Sequence, residues 1–101
     1  MAYTNSPVTK HGEHAKVLRK RAGTHLKALR EQAGLTQAEL AKRLGLEYYT
    51  FISQVETGLT RMPPEHYPEL AKALGVDLNE LAKDLLRFYD PFTYASLFGK
   101  K

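Results

Sequence analysis

The chain has 101 residues, 43% of them hydrophobic, which is the size of one domain that can bury a core without metals or disulfides. It contains no cysteine, which excludes a disulfide framework, a thiolate zinc finger and a thiol nucleophile. The N-terminal residues lack the apolar stretch of a signal peptide, and no apolar run is long enough to span a membrane. We therefore expect a cytoplasmic protein.

The positive charge is concentrated in the first third of the chain. Formal net charge is +4, and residues 1 to 34 carry seven Lys and Arg against two acids, whereas the remainder carries eight bases and nine acids. A basic arm on a near-neutral body favours a polyanionic partner, because phosphate binding releases counterions. The alternative is a solvated tail without a partner.

The first two predicted elements are an arm and a long helix. Residues 1–12 contain Pro7, Gly12 and small polar side chains, which predicts a flexible arm. From about Glu13 apolar residues recur at steps of three and four up to Gly34, which predicts a helix. Gly23 lies inside it and predicts a kink or a break.

Two short helices follow. Thr36 and Glu39 have capping-box spacing, and Gly45 ends this second helix. After a turn, a third helix is predicted from Tyr48 to Thr57, with Ile52 and Val55 buried and Gly58 as the stop.

The C-terminal third predicts two more helices and a tail. Pro68 makes the start of helix four irregular before Leu70 to Leu74. Asp77 and Glu80 form a second capping box that opens a fifth helix, Leu78 to Tyr89. The aromatic tail, 91–101, has the composition for one or two further helical turns. No strand-like alternation is present, so the class is all-α, with the domain at 13–90.

The stretch LTQAELAKRLGLEYYTFISQVETG, residues 35–58, followed by LAKALGVDLNEL, residues 70–81, resembles the Cro and phage-repressor-like helix-turn-helix family, also called the xenobiotic-response-element (XRE) family. The resemblance implies a five-helix, lambda-repressor-like DNA-binding domain. One departure is an additional residue between Gly45 and Gly58, which leaves the register of the third helix open by one position.

In this family the third helix reads DNA bases in the major groove. With Ile52 and Val55 inward, helical geometry turns a different set of side chains outward. The resulting candidates for base contacts are Tyr48, Tyr49, Thr50, Ser53, Gln54 and Thr57. Core packing is the alternative for the tyrosines and for Phe51. The helix carries no Arg or Lys, so the commonest contact to guanine is absent from it.

Phosphate contacts are expected from the helix-two start, from the loop after helix three and from the arm. Gln37 lies at a helix N-terminus, where unpaired N–H groups and the helix dipole favour an anion. The remaining candidates are Thr60, Arg61, Lys10, Lys16, Arg19 and Lys20. The resemblance also implies that Arg30 pairs with Glu56 in a structural role; the alternative is two exposed charges.

The leading function is a transcriptional regulator, a repressor, that binds a two-fold operator in double-stranded DNA as a homodimer. Some apolar residues near the C-terminus lie outside the apolar stripe of the fifth helix and predict a dimer or partner surface: Leu86, Phe88, Phe92, Leu97 and Phe98. The alternatives are a tail folded over helix one, or an antitoxin-like or adaptor protein that binds another protein through this tail. His11 and His14 have the spacing of one helical turn but no third ligand, so we expect no metal, no cofactor and no enzyme.

Overall fold

The computed structural model describes residues 6–99, and their side chains from position 14 onward. The described residues form six α-helices and one 3₁₀ turn, without a strand, which confirms the all-α class. The helices are α1 (Ser6–Gln32), α2 (Gln37–Arg43), α3 (Thr50–Glu56), α4 (Tyr67–Leu74), α5 (Leu78–Tyr89) and α6 (Pro91–Phe98). The 3₁₀ turn, Pro64–His66, leads into α4.

Helix α1 is longer than the sequence pattern indicated. It begins at Ser6 and not near Glu13, so residues 6–12, expected to be a flexible arm, are helical. Pro7 occupies the first turn, where its missing N–H leaves no hydrogen bond unmade, and therefore does not prevent the helix from starting. The rest of the predicted arm, residues 1–5, lies outside the described residues. At about 1.5 Å per residue, α1 is about 40 Å long.

Gly23 does not kink or break α1, contrary to the sequence-based expectation. It permits close contact instead: a Cβ at this position would lie 2.3 Å from the backbone oxygen of Glu56 and 2.5 Å from that of Val55. Only glycine lets the backbone of α1 lie directly against the end of α3.

The predicted capping box is complete at the start of α2 and only half formed at the start of α5. The Thr36 hydroxyl accepts from the Glu39 N–H at 3.0 Å, and the Glu39 carboxylate accepts from the Thr36 N–H at 2.8 Å, which confirms the first capping box. At the second, the Asp77 carboxylate accepts from the Glu80 N–H at 3.0 Å. The reciprocal hydrogen bond, from the Asp77 N–H to the Glu80 carboxylate, does not form among the described residues.

Helix α3 is shorter than predicted. It spans Thr50–Glu56, so Tyr48 and Tyr49 lie in the preceding turn, and Thr57 follows the last helical residue. No side chain caps the start of α3, because the residue there is Tyr49, which has no short acceptor to offer.

A 3₁₀ turn precedes α4, so the chain before Leu70 is irregular in part, as predicted. Pro68 is not the cause, because it lies in the first turn of the regular helix, where its missing N–H leaves no hydrogen bond unmade. Helices α1 to α5 enclose one core. Its buried apolar side chains are Ala22, Leu26, Leu40, Ala41, Leu44, Ile52, Val55, Met62, Leu70, Ala71, Leu74, Leu81 and Leu85. Helix α6 contributes no fully buried residue and packs mainly along α5.

Within residues 6–99, no helix combines the length and apolar character needed to cross a membrane.

Candidate nucleic-acid interface

One side of α3 is buried and the other faces solvent. Ile52 and Val55 are each 1% exposed and anchor the helix in the core, as the sequence predicted. Thr50 and Thr57 are exposed, and Ser53 and Gln54 are partly exposed. Together with Tyr48 and Tyr49, these residues form a continuous polar and aromatic surface, which we call the reading surface.

The aromatic residues around the start of α3 divide between core and solvent. Phe51 is partly buried against the core, and its ring centroid lies 6.4 Å from that of His66. Tyr48 is 69% exposed and Tyr49 is 56% exposed. Core packing is therefore wrong for the two tyrosines and right for Phe51, so only the tyrosines are available to a ligand.

A buried ion pair supports the end of α3 from behind. The Arg30 guanidinium donates to both carboxylate oxygens of Glu56, from Nε at 2.6 Å and from Nη2 at 3.1 Å. Arg30 Nη1 also donates to the Leu35 carbonyl at 2.7 Å. Both residues are 7% exposed, and the hydrogen bond to Glu56 raises the pKa of Arg30 against the opposing effect of burial. The pair fixes α1, the start of α2 and the end of α3 together.

Gln37, expected to bind a phosphate, is connected to this pair. Its side-chain amide donates to Glu56 Oε1 at 3.0 Å, and the residue is partly exposed at the first position of α2. One end of the amide is therefore held by the protein. Because the side chain is fixed at a helix N-terminus, it is oriented before any ligand arrives.

The loop after α3 is held by the end of α5. Arg61 forms an ion pair with Asp90 at 2.8 Å, and its guanidinium carbon lies 4.6 Å from the centroid of the Tyr89 ring. The Tyr89 hydroxyl accepts from the Met62 N–H at 3.1 Å. Sequence reasoning proposed Arg61 for phosphate binding and missed Tyr89 and Asp90, because almost thirty residues separate them from the loop and no local pattern joins them.

The basic residues of α1 lie beside the end of α3. Arg19 Nε donates to the Gly58 carbonyl at 3.2 Å, and a Cβ at Gly58 would lie 2.7 Å from the Cα of Lys20. Lys16 and Lys20 are exposed. The side chain of Lys10 lies outside the described residues. Positive charge from α1 is thus brought next to the loop that follows α3.

Comparison with protein-family models finds a match over residues 21–83 to a family described as a helix-turn-helix domain. The match covers more than half of the chain and contains α2, α3 and the ion pair between α1 and α3. The chain belongs to the helix-turn-helix domain family. No curated protein shows significant similarity to the sequence.

The helix-turn-helix assignment supports DNA as the partner of this domain. It also accounts for the arrangement of α2 and α3, in which a second helix, exposed on one face, follows the first after a short turn. The match begins within α1 and ends within α5, so residues 6–20 of α1, the end of α5 and all of α6 lie outside it.

The five residues predicted as one partner surface of the helix-turn-helix protein do not share a face. Phe88 packs against the core and lies 5.8 Å, centroid to centroid, from His25 of α1. Phe92 borders a groove beside Leu18 of α1. The remaining three, Leu86, Leu97 and Phe98, line a second groove. The five residues therefore do not form a single surface: one packs against the core, and the others line two different grooves.

Among side chains 14–99 of the helix-turn-helix protein, no group of three His, Asp or Glu residues is close enough together to hold a metal ion. The side chain of His11 is outside that range, so the predicted spacing of His11 and His14 is not described.

Proposed function

We propose that this chain is a sequence-specific, double-stranded DNA-binding transcriptional regulator that acts as a repressor. The observation that supports this most directly is the reading surface. Its exposed side chains lie on a short helix whose opposite side is fixed in the core by Ile52 and Val55. A helix exposed on one side and rigid on the other is what entry into the major groove requires.

The proposed base contacts come from the reading surface. Gln54 is suited to a bidentate contact with adenine, and Thr50 and the two tyrosines are suited to thymine methyl groups or to phosphates. The Thr57 hydroxyl already donates to the Ser53 carbonyl at 3.0 Å, so we assign it an accepting or van der Waals role.

The proposed phosphate contacts flank the reading surface on two sides. Gln37 lies at the start of α2, while Thr60 and Arg61 follow α3. Arg19 and Lys20 of α1 contact Gly58 at the start of that loop, and Lys16 is exposed on the same helix. Lys10 extends the same basic series along the sequence. Because α3 has no Lys or Arg and Arg61 is paired with Asp90, the lysines and Arg19 of α1 supply the positive charge. Base discrimination rests on amide, hydroxyl and aromatic groups together with DNA shape.

We further propose that the protein binds a two-fold operator as a homodimer, since a single short helix contacts too few base pairs for high specificity. An exposed apolar side chain of α6 supports a self-association surface: Phe92 is 71% exposed and does not line the groove formed by Leu97 and Phe98. The same exposure supports the second candidate, an antitoxin-like or adaptor protein that binds a different protein through α6.

The test is selection of bound duplexes from a random DNA pool, followed by measurement of the molecular mass of the complex. A palindromic consensus bound by two chains supports the repressor proposal. Selection of no sequence by the parent chain contradicts it. Phe92→Ser should convert the complex to one chain per half-site and leave the preferred half-site unchanged.

A further inference from the structure

A groove separates α6 from the segment that follows the reading surface. It has a volume of about 310 Å³ and lies between the 3₁₀ turn with the start of α4, one side of α5, and the last turn of α6. The residues that line it belong to four segments of the chain: Arg61, Pro64, Tyr67, Asn79, Ala82, Lys83, Leu86, Asp90, Leu97 and Phe98.

The walls of this groove are mostly apolar. Ala82 and Leu86 form its floor on α5, Pro64 forms one side, and Leu97 and Phe98 of α6 form the other. Leu97 and Phe98 remain 65% and 48% exposed, so an apolar molecule in the groove would remove their surface from water. This combination favours a ligand with an apolar body.

The charges at the groove leave one cation without an anion. Arg61 is already neutralised by Asp90 at 2.8 Å. Lys83 Nζ lies 4.9 Å from the centroid of the Phe98 ring and has no carboxylate within 4.0 Å among side chains 14–99. Tyr67 contributes no charge at neutral pH, since burial raises its pKa to about 12. The charges of Arg61, Lys83 and Asp90 in the groove therefore sum to one positive unit. The unpaired charge is the Lys83 ammonium, which lies against the Phe98 ring.

We propose that this groove binds a small organic monoanion, a carboxylate attached to an aromatic or short aliphatic body. The carboxylate pairs with Lys83 at the edge, and the apolar body covers Leu86, Leu97 and Phe98. A cationic ligand would be repelled by Lys83, and a neutral one would leave that ammonium unpaired. This site lies outside the reading surface and does not depend on DNA binding.

The proposal is tested with hydrocinnamate, whose uncharged near-isostere is hydrocinnamamide. Calorimetric titration of the full chain should show one site for the acid, and amide-proton shifts should map to Lys83, Leu86 and Phe98. The amide should bind about tenfold more weakly, because it lacks the charge that Lys83 neutralises. Lys83→Met should weaken binding of the acid to the level of the amide and leave the amide unchanged.

Two variants control this measurement. Lys72→Met removes an ammonium on α4 that lies outside the groove and is paired with Glu69, so it should leave the affinity for hydrocinnamate unchanged. Ala82→Leu fills the floor of the groove and should abolish binding of both compounds; where it lowers the melting temperature, Lys83→Met decides alone.

Three results would overturn the proposal. The first is no binding of hydrocinnamate at millimolar concentration. The second is equal affinity for the acid and the amide in the parent chain. The third is a dimer in sedimentation that dissociates on Ala82→Leu while the acid fails to bind, which would assign the groove to a second copy of this chain.

Discussion

Arg30 and Glu56 form the most enclosed polar contact that the structure describes. Each is 7% exposed, and the guanidinium donates to both carboxylate oxygens and to the Leu35 carbonyl. Removing either partner leaves the other charge buried with part of its hydrogen bonding lost. Replacing both removes the charges together, so the energetic effect of the double change is smaller than that of either single change.

We expect Arg30→Met and Glu56→Met each to lower the free energy of unfolding by roughly 3 to 5 kcal/mol, and the double variant to lower it far less. Urea unfolding of the three variants measures this. Glu69→Met is the control, because its pair with Lys72 at 3.7 Å is exposed and should contribute about 0 to 1 kcal/mol. Single variants as stable as the parent would contradict a structural role for the pair.

Two tyrosines beside Arg61 make the free energy of unfolding depend on pH in the alkaline range. Burial raises the pKa of Tyr67 to about 12 and also raises that of Tyr89. A raised pKa means that the folded state holds the proton more tightly than the unfolded chain. The stabilising contribution is therefore complete below pH 10 and is lost as the pH rises toward 12.

We expect the free energy of unfolding to fall between about pH 10 and pH 12, and Tyr67→Phe to flatten this decline. Urea unfolding at a series of pH values gives the slope. Tyr94→Phe is a matched control, since that tyrosine lies in α6 with its ring against Phe98. An identical pH slope for Tyr67→Phe and the parent would mean that Tyr67 titrates alike in both states.

At the scale of elements, the contact between α1 and α3 depends on a residue without a side chain. The Cβ of any other residue at Gly23 would overlap the backbone oxygens of Glu56 and Val55. We expect Gly23→Ala to destabilise the protein by more than about 1 kcal/mol, although alanine is the better helix former. Thr24→Ala, on the exposed side of α1, should change stability by less than about 0.5 kcal/mol. Thermal unfolding compares the two, and equal melting temperatures would contradict the close contact.

The roles proposed for Gln54 and Gln37 distinguish base reading from phosphate binding. If Gln54 contacts a base, Gln54→Ala should cost about 1 to 3 kcal/mol on the selected site and relax the preference at one base pair. Gln37→Ala should weaken selected and random duplexes alike. Asn79→Ala, an exposed amide on α5, is the control. Equal losses on both duplexes for Gln54→Ala would assign that residue to the DNA backbone.

How well the sequence predicted each element depended on whether its signals were local. The bounds of α5 follow directly from Asp77 at its start and from Asp90 and Pro91 at its end, and Ile52 and Val55 are buried as their spacing indicated. The role of Gly23 was misjudged, because helix propensity describes one helix alone and the partner at Glu56 lies more than thirty residues away.

Candidate site residues were likewise predictable where the signal is local to one helix or part of the family pattern. Spacing on a helix placed Thr50, Ser53 and Gln54 on one side of α3, and the family pattern joined Arg30 to Glu56. The contacts of Arg61 with Tyr89 and Asp90, and the groove beside Lys83, arise only when α5 and α6 pack against the loop. No periodicity within the chain encodes that packing.

For the whole molecule, the unequal charge distribution predicts how DNA binding should respond to salt. Lys16 and Lys20 are exposed on α1, and Lys20 lies against Gly58 at the end of α3. If both contact phosphates, Lys16→Gln with Lys20→Gln should reduce the slope of log affinity against log salt by about 0.9 for each lost contact. Shift assays over a salt series measure this, with Lys72→Gln as the control. An unchanged slope would remove α1 from the DNA interface.

The two ends of α3 are held to very different degrees, and this has a consequence for motion. Its last turn is fixed by Arg30, by the contact with Gly23 and by the hydrogen bond from Arg19 to Gly58. Its first turn follows two exposed tyrosines and has no side-chain cap. We expect the Thr50 end to open and close in well under a microsecond without disturbing the core, whereas the Glu56 end opens only when the domain unfolds. Hydrogen exchange should then occur through local opening at the Thr50 end and through global unfolding at the Glu56 end. A bound duplex should slow exchange most at the Thr50 end.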